Sequence, residues 1–354
     1  LTPATDETLM VQALDLWQRS GGKFDTVYPL FPGMTPTSVR RKVYGFRDRL
    51  AREADPRYLP PAAVPIIEGA LDQLETIDEE AVWRRAVELS RKRLAARTRE
   101  GRLVFDYGAV GLAFLADLHL GGEGVDYERI DREIDHILAT PGLYIVAVGD
   151  LLDNFIVGKL LSLRVDQTPF RISEEWALVR RVLRRIAPRL VASVAGNHDN
   201  WTGLLAGVDY FREVTEQIVG RHILYHPHEL RFTVQVGEAA VPFKARHKWR
   251  GASIYNPTHA TEREAKFDGS YYWRVGVAAH THASGVVREF NNRGQTALSC
   301  LCGSYKVDDD YAVASGFPAP NGATAVVVVV DEDGDFWGTS NLRAAAKYLS
   351  AVHR

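Results

Sequence analysis

The sequence predicts an α/β protein in which two packed mixed β-sheets are flanked by helices and preceded by a small all-α N-terminal domain. Three observations carry that prediction. Beyond about residue 103, short apolar runs first alternate with helical patterns and then follow one another directly, the order expected of two stacked sheets with helices outside. The first fifty or so residues show only helical periodicity. A stretch with repeated prolines, Pro56 to Pro65, separates the two textures. At 354 residues, with 46% hydrophobic and 25% charged side chains, the chain has the mix of an ordinary folded protein and exceeds what one core usually organises. The expected domains are 1–55, a helical linker region 56–102, and a catalytic domain 103–354.

Taken in order, Leu9 to Trp17 has apolar residues at helical spacing and stops at Ser20-Gly21-Gly22. A second short helical segment is expected from Phe24 to Leu30. Thr35-Pro36 then supplies an N-cap and a first-turn proline for a helix from Pro36 to Ala51. Ile66 to Leu74 and Glu79 to Arg97 also read as helices. Strands are expected at Gly111–Ala116, Leu143–Val148, Leu190–Ala195, Leu230–Val236, Val241–Ala245, Val275–Ala279, Thr296–Leu301 and Thr324–Val330. Helices are expected at Asp126–Leu138, Glu174–Arg184 and Tyr210–Val219, and a hairpin turn at Asp331–Asp335.

Composition also excludes some classes. A formal net charge of -2 gives no global attraction to nucleic acid, so such a partner has to be held by a local patch. The longest purely apolar run, Ala325 to Val330, falls far short of the roughly 20 residues that span a bilayer, and no signal-like segment opens the sequence. Cys300 and Cys302, the two cysteines, alternate on an expected strand and read as reduced and buried. A cytoplasmic protein with no membrane partner is the expectation.

Five of the apolar runs end in polar clusters: Asp117-Leu118-His119; Gly149-Asp150-Leu151-Leu152-Asp153-Asn154; Gly196-Asn197-His198-Asp199; His247; and His280-Thr281-His282. Ligands for one centre have to come from several strand ends, because a single strand cannot converge enough donors. The period of two in Asp117-x-His119 and His280-x-His282 is expected to put each pair on one side of an extended segment. Gly149 and Gly196 are expected to permit tight turns. Asp117, His119, Asp150, Asn197, His247, His280 and His282 together offer a bridging carboxylate with further carboxylate, imidazole and amide donors. That is the inventory of a two-cation site of the kind that neutralises a phosphate ester and activates a water. Oxygen and nitrogen donors without thiolate suit manganese, iron or zinc, and spacing does not choose among them; two divalent ions, manganese first and iron, zinc or magnesium as alternatives, are the expectation. His226, His228 and His259 compete with His247, which leads them because it directly follows its apolar run.

These residues resemble the calcineurin-like metallophosphoesterases, whose pattern is D-x-H, G-D-x-x-D, G-N-H-D/E, a later H, and G-H-x-H. The likeness spans Asp117 to His282, about half the chain, and departs from the pattern where Ala279 replaces the last motif's glycine. The resemblance implies that one metal takes Asp117, His119, Asp150 and His282, and that the other takes Asp150, Asn197, His247 and His280. It further implies that His198 donates a proton to the leaving oxygen or steadies the phosphoryl charge, with Asp199 orienting its ring. Asp153 would orient a ligand or the bridging water.

The first two motifs look most like those of SbcD-type repair nucleases, which implies phosphodiester hydrolysis in DNA, a homodimer and a separate ATPase; nothing in the sequence identifies a dimer surface. A phosphomonoesterase or nucleotide phosphodiesterase acting on a small molecule or a phosphoprotein is the alternative. The N-terminal segment looks like a helix-turn-helix unit, and its last helix carries Arg40, Arg41, Lys42, Arg47, Arg49 and nearby Arg52, with Arg40, Arg41 and Lys42 the chosen DNA contacts. A second basic run is Arg84, Arg85, Arg91, Lys92, Arg93, Arg97 and Arg99. Near the expected centre, Asn154, Trp201 and Arg250 are candidates for gripping substrate, Arg250 because a guanidinium matches phosphate oxygens.

Overall fold

The computed structural model describes residues 3–54, 78–97, 100–106, 108–156, 170–253, 255–307 and 322–354. The Pro56–Pro65 linker, the Ile66–Leu74 helix, Arg99 and the side chains of Arg52, Arg93 and Arg97 lie outside the described residues. The chain forms two compact units, Leu1–Arg84 and Arg85–Arg354.

The first unit contains α1 (Pro3–Arg19) and α2 (Pro36–Ala54), and the helix α3 (Glu79–Arg97) begins at its end. Ala13 and Leu14 of α1 pack against Val39, Val43 and Phe46 of α2, with Phe24, Val27 and Phe31 between them. Thr35 caps α2 as expected, its hydroxyl accepting from the Ser38 amide at 3.3 Å. The middle helix does not form. Phe24–Leu30 yields only a short 3-10 turn, Tyr28–Leu30, because Pro29 and Pro32 each remove an amide that a longer helix would need.

The second unit holds two six-stranded sheets. One is built from β2 (Ala109–Leu115), β3 (Leu143–Val148), β4 (Leu190–Val194), β5 (Leu224–His226), β11 (Val326–Asp331) and β12 (Phe336–Thr339), in the order β12-β11-β2-β3-β4-β5. Its strands β2 to β5 run parallel, with β11 and β12 antiparallel at one side. The other comprises β1 (Gly101–Phe105), β6 (Leu230–Val236), β7 (Ala239–Ala245), β8 (Val275–Ala278), β9 (Val286–Asn292) and β10 (Gln295–Leu301), ordered β1-β6-β7-β8-β10-β9. This is the mixed two-sheet α/β architecture expected, although β1, β5, β9 and β12 were not anticipated as strands. They are short, or lie at sheet edges with polar outer faces, and carry little apolar signal.

Strand alternation decides which side chain meets which layer. Val110, Leu112 and Phe114 of β2 and Val326, Val328 and Val330 of β11 face the other sheet, where they meet Phe232, Val234 and Phe243. Their alternates, Ala113, Leu115, Val327 and Val329, pack instead under helices. Both faces of these strands are therefore buried, which is why they read as unbroken apolar runs. The Phe232 and Phe243 rings stack at 5.2 Å between centroids, and burying each such ring contributes about 1.5–3 kcal/mol. Cys300 and Cys302 are free and buried in this layer.

Helices α4 (Tyr127–Leu138), α5 (Ile172–Ile186), α7 (Tyr210–Val219) and α9 (Leu342–Val352) bury their apolar stripes on the outer face of the first sheet through Ile130, Ile134, Val179, Leu183, Phe211 and Leu349. The cap of α4 is Asp126, whose carboxylate accepts from the Arg129 amide at 2.9 Å. On the far side of the second sheet, α8 (His259–Phe267) packs with Trp249 and Trp273. Among the described residues no helix is long and apolar enough to cross a membrane.

Candidate metal centre

Parallel strands β2, β3 and β4 deliver their C-terminal ends to one edge, and the parallel pair β7 and β8 delivers His247 and His280-x-His282 to the same place. Such an edge is where open α/β sheets gather ligands from separate loops. The ladder between β2 and β3 continues past the strand ends, with the amides of Asp117 and His119 donating to the carbonyls of Gly149 and Asp150 at 3.0 and 3.1 Å.

The backbone here is not extended. Asp117, His119, Asp150, Asn154, His280 and His282 all have positive φ, from 46° to 77°, and Arg293 is the one other such non-glycine among the described residues. Each left-handed residue costs about 1–2 kcal/mol, so this strain persists only because surrounding contacts fix it. The expected extended segments are corrected accordingly: Asp117 with His119, and His280 with His282, reach the same centre through paired left-handed turns. The glycines divide their roles too. Gly149 has φ 84° and a methyl there would lie 2.5 Å from the Gly196 amide nitrogen. Gly196 has an ordinary φ of -88° and is needed for close approach, since a methyl would fall 2.0 Å from Asp150 Oδ1. Ala279 is not left-handed and is buried in the intersheet core, so the methyl that replaces a glycine there meets no penalty.

Six imidazole and carboxylate side chains converge in two groups, one of Asp117, His119 and His282, the other of Asp150, His247 and His280, and a third grouping of His119, Asp150 and His198 links the two. His119 Nε2 faces His282 Nε2 at 2.9 Å, and His247 Nε2 lies 2.9 Å from Asp150 Oδ2 and 3.2 Å from His280 Nδ1. Asp150 Oδ2 is also 3.9 Å from His119 Nε2 and from His198 Nε2, which puts it between the groups as a bridging carboxylate must be. The tautomers are fixed from behind: His119 Nδ1 meets Asp153 Oδ1 at 2.9 Å, and His247 Nδ1 donates to the Val148 carbonyl at 2.8 Å. Both Nε2 atoms are thereby left to face inward.

Two buried acceptors, Asp117 Oδ1 in this cluster and Asn197 Oδ1 on the residue before His198, have no hydrogen-bond partner. Asp117 is fully buried, and its closest donor, His282 Nε2 at 3.5 Å, is too distant for a full bond. Orphaned buried acceptors are costly unless a cation completes them, and Asp117 Oδ1 has the Nε2 atoms of His119, His247 and His282 within 3.9 Å. Asp117, His119, Asp150, Asn197, His247, His280 and His282 therefore fit divalent metal. Burial disfavours charge on His247, yet Asp150, Asp117 and the Val148 carbonyl outweigh it and raise the imidazole to about 10. Burial and the neighbouring His247 and Lys248 charges lower His280 to about 4. Burial pushes the Asp150 carboxyl upward, but His247, His198 and His119 hold it well below the usual range.

Metal uptake has to expel the proton from His247, so affinity is expected to rise with pH through the neutral range, by up to about tenfold per unit for one proton. Calorimetric titration of manganese at pH 7 in buffers of different ionisation enthalpy measures this. Heats that do not vary with buffer would mean that no proton leaves.

Helix α6 (Asn197–Ala206) starts on the third motif and was not anticipated. Its first turn explains Asp199, whose carboxylate accepts from the amides of Gly196 and Asp150, each at 2.8 Å, and of Leu151 at 3.0 Å. Asp199 thus ties the ends of β3 and β4 together and does not orient the His198 ring, a correction that follows from its facing backward into the loops. Burial and the Asp150 charge raise its carboxyl to about 7 against the pull of those amides. The His198 ring is instead oriented by the Asp153 carbonyl, to which Nδ1 donates, by Trp201 at 4.0 Å between ring centroids and by Phe155 at 4.9 Å. Burial lowers His198 to about 4 despite the Asp150 carboxylate.

The proposed substrate contacts fare differently. Asn154 is buried and donates to the His198 carbonyl at 2.7 Å and to Thr202 at 3.1 Å, so it braces the α6 turn. Trp201 is engaged with His198. Arg250 is exposed, and among the described residues no contact joins it to the cluster. Sequence reasoning missed Lys306 and Glu175. Glu175 is fully buried, holding the Asn154 amide at 2.8 Å. Neither stands in a motif, and only the fold brings them near.

In the first unit, Arg40 donates to the Tyr28 hydroxyl at 2.8 Å and lies over Phe24, Arg47 pairs with Asp48 and Arg49 with Glu7. Arg41 and Lys42 are exposed on α2.

No family model and no curated protein matches the sequence. Among solved structures, the chain is similar to the calcineurin-like phosphoesterase YfkN from Bacillus subtilis, with 11% identity, TM-score 0.33 and coverage of 70% of this chain and 100% of that one. It is similar to Vps29 of Chaetomium thermophilum, with 13% identity, TM-score 0.31 and coverage of 65% and 95%. It is also similar to the nuclease MPE of Pseudomonas putida, with 14% identity, TM-score 0.30 and coverage of 64% and 87%. At such similarity the chemistry has to be read from the side chains themselves.

Proposed function

We propose that the protein is a hydrolase of phosphate esters that works with two divalent metal ions, manganese first among them, and that it cleaves phosphodiester bonds in DNA. The observation that carries the hydrolytic part is the pair of orphaned buried acceptors, Asp117 Oδ1 and Asn197 Oδ1, beside a carboxylate, Asp150, whose Oδ2 lies 2.9 Å from His247 and 3.9 Å from His119. Asp117, His119, Asp150 and His282 would hold one metal, and Asp150, Asn197, His247 and His280 the other. Bound metals of this kind neutralise the ester's charge and supply an activated water.

The chain's own residues do the rest. With Nδ1 donating to the Asp153 carbonyl, His198 presents Nε2 to the cluster. An arriving phosphate anion opposes the desolvation that keeps this imidazole neutral, so it takes up a proton with substrate and passes it from Nε2 to the leaving oxygen. Trp201 and Phe155 restrict the ring to that orientation and exclude water from its faces. Asp199 holds the loops after β3 and β4 in register, which sets the distance between Asp150 and His198.

Support for DNA is narrower and comes from Arg41 and Lys42, exposed on α2 where cations can meet phosphates. A second reading is favoured by the engagement of Arg40, Arg47 and Arg49 within their own unit: a phosphomonoesterase or nucleotide phosphodiesterase whose N-terminal helices dock a protein. A manganese-supplemented assay with linear single- and double-stranded DNA, a chromogenic diester and a chromogenic monoester separates them. Charge reversal of Arg40, Arg41 and Lys42 is expected to weaken cleavage of long DNA by about tenfold or more while sparing the small diester. Equal loss of both activities, or hydrolysis of small esters alone by the unaltered protein, would remove the DNA reading.

A further inference from the structure

Lys306 follows β10 by five residues and belongs to none of the motifs, yet it is 7% exposed. Its ammonium lies 3.3 Å from Asp153 Oδ1, the same oxygen that meets His119 Nδ1 at 2.9 Å. Ammonium, carboxylate and imidazole thus form one chain whose far end, His119 Nε2, faces the metal cluster. The ammonium also lies over the face of Phe155, 5.5 Å from its centroid.

The loop that carries Lys306 is tied to the centre by its backbone. The Tyr305 amide and the Ser304 hydroxyl both donate to the Asp117 carbonyl, at 3.0 and 3.2 Å, and the Lys306 amide donates to Ser304 Oγ at 3.0 Å. On its other side the Val307 amide donates to the Gly124 carbonyl at 2.9 Å. Lys306 therefore cannot shift without moving Asp117 or the Gly121–Gly124 loop.

Charge balance explains the need for it. A buried carboxylate requires a compensating positive group. His119 cannot be that group while it serves a metal, because a ligating imidazole is neutral. Lys306 is the cation that contacts Asp153 from the remaining side.

We propose that Lys306 is a positioning residue: its ammonium anchors Asp153 so that His119 presents Nε2 to the cluster, and it thereby sets the affinity of one metal position, the one taking Asp117, His119 and His282. This rests on the two-metal reading above. The other position, with Asn197, His247 and His280, does not depend on it, because His247 is oriented independently by the Val148 carbonyl.

Manganese titration of the full metal-free chain by calorimetry, for the unaltered protein and for Lys306→Met, Lys306→Gln and Lys306→Arg, tests this. Lys306→Met and Lys306→Gln are expected to weaken one of two sites by about 10- to 100-fold and leave the other within about threefold, while Lys306→Arg restores most of the loss. Circular dichroism of each metal-free variant selects those that fold, with Lys306→Gln keeping length and a donor if Lys306→Met does not. Equal loss at both sites, unchanged affinity at both, folding of none of the three variants, or failure of a folded Lys306→Arg to restore the weakened site would overturn the proposal. An unaltered protein that binds fewer than two manganese ions would overturn the two-metal reading and this inference with it. One that binds two but hydrolyses no ester would overturn the activity alone.

Discussion

Asp150→Asn is expected to reduce phosphodiester hydrolysis by about 10³-fold or more, equivalent to roughly 4 kcal/mol of lost transition-state stabilisation. Asp150 groups with His247 and His280 on one side and with His119 and His198 on the other, which places it between the two proposed metal positions. Its Oδ2 is 2.9 Å from His247 Nε2, and its Oδ1 accepts from the His198 amide at 2.9 Å. An amide of the same shape retains an acceptor for that amide while losing the charge that two neighbouring cations need. Asparagine is preferred to alanine here, because alanine also removes the side-chain acceptor of the buried His198 amide, a further cost of about 1–3 kcal/mol for an unsatisfied donor. Inductively coupled plasma measurement of bound manganese, beside the hydrolysis assay, separates the outcomes. Asp150→Asn with both metals at unaltered affinity and full activity would mean that Asp150 does not bridge.

His198→Ala is expected to keep both metals and lose turnover by about 10²-fold or more, the usual scale for a positioned proton donor. The imidazole sits at the start of α6 with Nε2 3.9 Å from Asp150 Oδ2, near enough to the ligands for its role to need deciding by experiment. The leaving group supplies the decision. With a substrate whose leaving oxygen is already a weak base, such as a nitrophenolate, the loss should shrink; with an alkoxide leaving group it should be largest. A loss of bound metal in His198→Ala, with an equal defect for both leaving groups, would make His198 a ligand and not an acid.

The candidate ligand residues were legible because metal chemistry restricts residue type. Asp117, His119, Asp150, Asn197, His247, His280 and His282 each follow an apolar run, and the structure brings the carboxylates and imidazoles among them together while leaving Asn197 Oδ1 buried and open. His247 had no companion in its segment, yet its position after β7 fixed it at the edge that also receives β8. The backbone at the site was not legible. Left-handed φ at Asp117 or His119 contradicts local preference, and it is held by the bonds of their amides to the Gly149 and Asp150 carbonyls and of the Tyr305 amide and Ser304 hydroxyl to the Asp117 carbonyl. The same limit misassigned Asp199, since a carboxylate next to a histidine in sequence points away from it once both lie on the first turn of a helix.

The sequence alone determined the layers and the donor inventory, because burial periodicity and ligand chemistry are written in residue type and spacing of a few positions. The short apolar runs settled where strands lie and where they end, while the closing of the layers decided which side chains of β2 and β11 meet the opposite sheet. The tertiary structure alone decided the supports of the centre: Lys306 on Asp153, Glu175 on the Asn154 amide, Trp201 on His198. These contacts join residues far apart in the chain or turn a neighbour inward. Their partners are chosen by the packing of whole layers, and no local propensity encodes a contact that exists only after those layers close.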